Sequence, residues 1–280
     1  VVSTVVVGRH GRHLVPGSGE FALRVMGADT KPSLGLRLPG PNDPAELVDG
    51  EITTLDPLYG NEIWRAVTAT TMLVGLRSTV SSGQLLEMLD CGRLTGLRFR
   101  MATARPTIGR RDWPRAQDRT FGTLCGLSTL LCWPGHARAE LTARAAEAAK
   151  VALQRRRVTG HREAALVMRW VLALAEAFPG DPLVLAPLLL KLRWFEAGQE
   201  FMVPARWPLA MLAGEAVGVS GEGSVVMGAG LGAGDADPVG FVSGLESRAG
   251  ELSVEPHDEV LARALVAARR HVCRPSGRPA

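Results

Sequence analysis

The residues best placed to do chemistry are arginines. Between Arg93 and Arg119 the sequence RLTGLRFRMATARPTIGRRDWPRAQDR carries eight of them: Arg93, Arg98, Arg100, Arg105, Arg110, Arg111, Arg115 and Arg119. Only Asp112 and Asp118 oppose them there. A guanidinium is a planar, permanently charged fork of donors that matches phosphate and carboxylate oxygens. Leu97, Phe99 and Met101 alternate with Arg98 and Arg100. That alternation predicts a strand with both arginines on one face, about 7 Å apart, close to the phosphate repeat along a single nucleic-acid strand. Beyond Pro106 the chain reads as a loop in which Trp113 stands among Arg110, Arg111 and Arg115. Charge beside a stacking ring is the composition of single-stranded nucleic-acid sites. The candidate nucleic-acid-binding residues are therefore Arg98, Arg100, Arg110, Arg111, Trp113, Arg115 and Arg119. Pairing with the acids Asp43, Glu46, Asp49 and Glu51, or contact with a protein partner, competes for the same charges.

Other constellations are weaker. The segment GEAVGVSGEGSVVMGAGLGAGDAD, residues 214–237, is rich in glycine but has neither a GxGxxG fingerprint nor the Gly-Lys-Ser/Thr ending of a phosphate loop. It reads as a surface loop over 214–234, with Asp235 and Asp237 a sparse acid pair for a hard cation. His10 and His13 lie three apart in a Gly/Arg turn without a nearby third ligand. No serine sits in a GxSxG elbow. Cys125 and Cys132 lie in the apolar run FGTLCGLSTLLCW and read as buried thiols, not activated ones. Trp64, Trp133, Trp170, Trp194 and Trp207 read as core or interface anchors. No metal or cofactor is implied.

Elements must position these groups. Val1–Val7 is β-branched, Phe21, Leu23 and Val25 alternate, and Leu34, Leu36 and Leu38 repeat the pattern, so the amino-terminal part is β-rich. Ile63–Leu76 is compatible with strand or helix. Ser81 or Ser82 is placed to cap a helix ending before Gly92. Past Arg119 helices dominate: Ala137–Arg157, with Leu141, Ala145, Ala148 and Ala152 on one face, and His161–Phe178, with a stripe of Leu166, Trp170, Leu174 and Phe178. Asp181 caps a further helix with Pro182 at its first position, and Leu209–Val217 and Pro256–Val272 complete the set. The predicted fold is α+β: a β-rich part, 1–120, holding the basic segment 93–119, followed by a carboxy-terminal bundle of about five helices over 121–280. The two parts are free to share one core.

Composition bounds the function. Of 280 residues 46% are hydrophobic, enough for a sizeable core, and the formal charge is +4. Of the 32 Lys and Arg residues only Lys31, Lys150 and Lys191 are lysines. The four cysteines are scattered, which fits a reducing compartment. VVSTVVV is too short for a signal peptide, so the expected location is intracellular, or within a particle assembled in the cytoplasm. No run is long enough to span a membrane. The expected function is a structural, self-associating nucleic-acid-binding protein, like a capsid or nucleoprotein subunit, with single-stranded RNA as partner. An enzyme acting on an anionic small molecule through the glycine segment and an arginine clamp is the alternative. A scaffold component that contacts only protein is the third.

Overall fold

A computed structural model of the chain describes residues 2–8, 11–16, 21–26, 34–38, 61–105, 115–154, 161–221, 225–231 and 236–245. In chain order the first strands are β1 (Val2–Gly8), β2 (Gly11–Pro16), β3 (Phe21–Met26), β4 (Leu34–Leu38), β5 (Asn61–Ala66) and β6 (Thr70–Leu76). Five helices follow: α1 (Thr79–Leu89), α2 (Thr95–Thr103), α3 (Arg115–Leu131), α4 (Gly135–Gln154) and α5 (Arg162–Ala177). A short α6 (Ala186–Leu189) leads into β7 (Leu190–Phe195), β8 (Glu200–Pro204), β9 (Leu209–Ala213), β10 (Ala216–Gly221) and β11 (Val225–Gly230), and α7 (Pro238–Gly244) comes last.

The strands form two antiparallel sheets, ordered β1-β2-β3-β10-β5-β8 and β11-β4-β9-β6-β7. Both sheets mix strands from before and after the helices. The helices are thus an insertion between β6 and β7, not a carboxy-terminal bundle. The predicted division into a β-rich part and a helical bundle is corrected on this point. Apolar side chains explain the three layers. Trp64, Ala66, Phe201, Val203 and Ala216 of the first sheet meet Met72, Val74, Phe195, Leu209 and Met211 of the second, and Trp207 joins them. The opposite face of the second sheet, with Leu73, Leu76, Leu190, Leu192, Ala210 and Leu212, packs against the helices.

Helix ends carry their own signals. Ser78, not Ser81 or Ser82, caps α1, its Oγ accepting from Ser81 N–H at 3.2 Å, and Asp90 ends the helix in the left-handed conformation. Asp181 caps the 3₁₀ turn Pro182–Leu185 as its sequence predicts, accepting from Leu183 N–H at 2.9 Å. That turn and α6 are short, and the predicted continuation as helix is a strand. Leu209–Val217 is likewise strand β9 and the start of β10. Strand β9 is buried along Leu209–Leu212, so it shows none of the polar alternation that marks a strand in sequence. The stripe of α5 is displaced too: Ala164, Val167, Met168, Val171 and Leu174 are buried, while Leu166 faces solvent. The predicted helix Pro256–Val272 lies outside the described residues. Among them no helix is long and apolar enough to cross a membrane.

Candidate functional site

The arginine stretch does not form the predicted strand. Leu97 and Met101 are buried one helical turn apart on α2, and Phe99 is exposed. A helix turns about 100° per residue, so Arg98 and Arg100 point to opposite sides of it, not to one face. Arg98 Nη2 lies 3.5 Å from Glu87 of α1, and Arg93 pairs with Glu140 of α4. Arg105 donates to the Ala102 and Ala104 carbonyls at the end of its own helix, at 3.3 and 2.9 Å. Arg100 and Arg119 are exposed on α2 and α3, and Arg115 opens α3. Arg110, Arg111 and Trp113 lie outside the described residues. The acids that meet these arginines come from α1 and α4, neighbours that only the fold supplies.

Besides a cleft lined by Arg93, Leu97, Arg100, Thr129, Cys132 and Trp133, which holds no acid among the described residues, two clefts border this region. One, of about 520 Å³, is lined by Asp90, Gly92, Arg93, Glu140, Arg144 and Glu147 together with Leu89, Cys91, Ala148, Val151 and Ala152. The other holds Glu87, Asp90, Thr95, Arg98 and Phe99. Both interleave acids with arginines, so neither offers the uniformly positive surface that tracks a nucleic-acid backbone. Neither takes in the glycine segment, and the predicted clamp of Arg98 or Arg100 against residues 228–234 is not formed in them. The glycine segment itself is strand, not loop: β10 and β11 occupy 216–221 and 225–230. Asp181 fastens its end, its Oδ2 accepting from Leu231 N–H at 2.7 Å. Asp237 caps α7, accepting from Gly240 N–H at 2.9 Å, a structural use of a carboxylate offered in sequence as a cation ligand.

Cysteine exposure also departs from expectation. Cys125 is half-buried and Cys132 is exposed. Burial pushes the Cys125 thiol above its ordinary range, which holds it as the less reactive thiol form. Maleimide at neutral pH is therefore expected to label Cys132 well before Cys125, as read by peptide mass mapping over time. Raising the pH should narrow the gap. Equal rates at neutral pH would show the assignment to be wrong.

The space between the sheets is the other place where a site could form. Residues 62, 64 and 66 of β5 alternate onto the face that meets the second sheet. Trp64 and Ala66 are core. Glu62 is buried on the same face, its Oε2 accepting from Trp64 Nε1–H at 3.0 Å. Among the described residues it is the one buried acid on that face. Arg65 and Glu200, a cross-strand pair, lie on the other: Arg65 Nε donates to Glu200 Oε1 at 2.7 Å. Sequence reading missed Glu62. Its signal was an acid one step before Ile63 in a segment compatible with either strand or helix.

Large rings fill the interior, and glycines make their room. Trp64 lies across Gly218 of β10, where a Cβ would stand 2.6 Å from the indole. Trp207 lies on Gly75, whose φ of +68° sits in the bulge between Leu73 and Leu76. Phe195 and Phe201 stack with centroids 3.8 Å apart. Lys191 Nζ stands 5.7 Å from the Trp207 ring centroid, within range of a cation–π contact. No three His, Cys, Asp or Glu residues come together as a metal site among the described residues.

No family model and no curated protein matches this chain. Solved structures do. The apo form of mannose 6-phosphate isomerase from Salmonella typhimurium is 20% identical, with a TM-score of 0.57, covering 87% of this chain and 57% of its own. The same enzyme bound to its substrate f6p and zinc gives a TM-score of 0.56 at 20% identity and the same coverage. A point mutant of phosphomannose isomerase from that organism is 19% identical, with a TM-score of 0.57 over 87% of this chain and 56% of its own. This chain thus spans a little over half the length of the isomerases it resembles. The likeness is one of fold, a mixed helix and sheet architecture with antiparallel sheets. It overturns the capsid and RNA-binding reading, because the structures that share this architecture are sugar-phosphate isomerases. Zinc, present in one of these neighbours, does not fit the described interior here. Of the described side chains there, Glu62 alone is a possible ligand and it already accepts from the Trp64 indole; Trp64, Met72, Val74, Phe201, Trp207, Leu209 and Met211 supply no His, Cys, Asp or Glu beside it.

Proposed function

We propose that this protein acts on a phosphorylated sugar. The observation that carries the reading is the likeness of fold to sugar-phosphate isomerases over 87% of the chain. Fold alone does not fix chemistry, since one architecture hosts many activities. The reading nevertheless agrees with the alternative drawn from the sequence, an enzyme working on a small anion, in substrate class though not in the residues that would clamp it. Arginines around the clefts of α1, α2 and α4 supply guanidinium donors of the kind that hold a phosphate.

The test is direct. The full chain is incubated with mannose 6-phosphate and with fructose 6-phosphate. Interconversion is followed by NMR, and binding by the shift in thermal midpoint. A ligand at a hundredfold excess over its Kd stabilises a protein by about 2.7 kcal/mol, which raises the midpoint by several degrees. The expected result is a shift with the phosphorylated sugars and none with mannose or fructose. The absence of both turnover and a phosphate-dependent shift would sink the proposal.

A further inference from the structure

We propose that the cleft between α2, the end of α3 and the start of α4 binds a small phosphate monoester, with Arg93 and Arg100 holding the anion and Trp133 walling its organic part. The choice of a phosphorylated ligand rests on the sugar-phosphate reading; the choice of site does not. One helical face builds the cleft. The 3₁₀ turn Gly92–Leu94 runs directly into α2. Arg93, Gly96, Leu97 and Arg100 are spaced i, i+3, i+4 and i+7, so they share one side of that stretch. All four line a cleft of about 400 Å³, together with Thr129, Cys132, Trp133 and Pro134 from the α3–α4 corner. That volume suits a small metabolite. Leu97 is buried, and a Cβ on Gly96 would meet nothing within 4 Å. The middle of the face is thus open, between two arginines about 10 Å apart along the helix axis.

Two details separate this cleft from a plain charged face. First, the carbonyls that would repel an anion are already engaged. Helix α3 ends here, at the negative end of its dipole. Ser128 O and Leu130 O accept from the N–H groups of Cys132 and Trp133 at 3.0 and 3.1 Å. Arg138 Nε donates to Trp133 O at 2.8 Å, and its Nη2 donates to Leu131 O at 3.2 Å. Helix α4 then starts at Gly135 with no acid in its first turn, so its positive end adds to the field of the arginines. Second, guanidinium donors stand beside an aromatic wall. Trp133 is half-buried and packs against the core, which fixes the ring beside the charges. Arg100 is exposed and enters no ion pair among the described residues. Arg93 pairs with Glu140, but that acid lines the neighbouring cleft, and a guanidinium has five donors to share. Thr129 gives its hydroxyl proton to Cys125 O at 2.8 Å, so the arginines carry the recognition.

Cys132 is exposed in the same lining, so its alkylation reports on the cleft. The full chain is treated with iodoacetamide, a neutral reagent, alone and with fructose 6-phosphate, phenyl phosphate or fructose. Labelling of Cys132 and Cys125 is followed by peptide mass mapping, and thermal midpoints are recorded with the same compounds. At about ten times its Kd a ligand leaves about a tenth of the sites empty, so a bound phosphate monoester should slow Cys132 about tenfold and leave Cys125 unchanged. Fructose should do neither. Arg100→Gln is expected to raise the ligand concentration needed about tenfold, the loss of one charge-assisted contact. Gly96→Leu takes up the room without changing charge, in a helix that leucine favours, and should abolish protection. Arg169→Gln, an exposed position on α5, removes the same charge and should leave protection intact. No slowing of Cys132 by either phosphate monoester, or a slowing that Arg169→Gln weakens as much as Arg100→Gln does, would overturn the inference. A thermal shift with fructose 6-phosphate that leaves Cys132 unprotected would overturn the site and keep the sugar-phosphate reading. Protection by phenyl phosphate and none by fructose 6-phosphate would keep the site and defeat that reading.

Discussion

Trp64→Ala is expected to cost about 3–5 kcal/mol, the range for deleting a large buried ring. The value should fall at the upper end. Trp64 is fully buried, flanked in register by Phe201 of β8 and Gly218 of β10. Gly218 has no side chain with which to fill the void, and Phe201 is held from behind by its stack with Phe195. Truncation also removes the N–H that Glu62 accepts, which leaves a buried carboxylate with one partner fewer. Gly218→Val probes the same fit from the other side. Its side chain would drive into the indole, an overpacking cost of about 1–3 kcal/mol. With Trp64→Leu in place the ring is gone, so Gly218→Val should then cost far less. Urea denaturation of the two single variants and the double variant gives the coupling, expected at about 1–2 kcal/mol in favour of the double. Strict additivity would show that Trp64 does not lie on Gly218.

What could be read from sequence follows from which elements have one wet face. Helix α4 has one, and its extent and its face through Leu141, Ala145 and Ala152 were legible. Strands β3 and β4 were legible from their alternation. Strand β9 was not, because the first sheet covers Leu209 and Met211 while the helices cover Ala210 and Leu212. With both faces dry, a short apolar run carries no period to distinguish strand from helix. Segment 97–101 misled for a different reason. Leu97 and Met101 lie on one side at either a two-residue or a 3.6-residue repeat, and only the exposure of Phe99 decides between them. The glycines at 218, 228 and 230 looked like a loop because their neighbours in space are absent from the local sequence. Gly218 is small on account of Trp64, more than a hundred residues earlier. The interior was illegible for the same cause: Trp64 of β5 and Trp207 share one core only once the two sheets are packed face to face.

Arg77→Met is expected to leave the protein as stable as the parent or to raise its stability by about 1–2 kcal/mol, as replacing buried charge with an apolar chain of similar volume often does. Arg77 follows β6 and is 5% exposed, next to the core between the second sheet and the helices. Its backbone N–H donates to Leu189 O at 2.8 Å, a bond that methionine retains. Its Nη1 donates to Glu163 of α5 at 2.5 Å, but Nε and Nη2 have no hydrogen-bond partner among the described residues. Burying two donors without acceptors costs about 1–3 kcal/mol each, a burden that methionine lifts. Glu163 is asymmetric with it, being 63% exposed, so the ion pair joins a dry cation to a wet anion. Glu163→Gln is therefore expected to destabilise by about 1–3 kcal/mol, because the buried guanidinium loses the counter-charge it has among the described residues and water reaches only the far side. In the Arg77→Met background the same Glu163→Gln change should fall within about 0.5 kcal/mol of neutral, as for an ordinary surface residue. The cycle thus predicts coupling that belongs to the burial of Arg77 and not to the exposed acid. Equal losses from Glu163→Gln in both backgrounds would refute the pair, and a loss of several kcal/mol from Arg77→Met would show that the guanidinium sustains packing that its hydrogen bonds do not reveal.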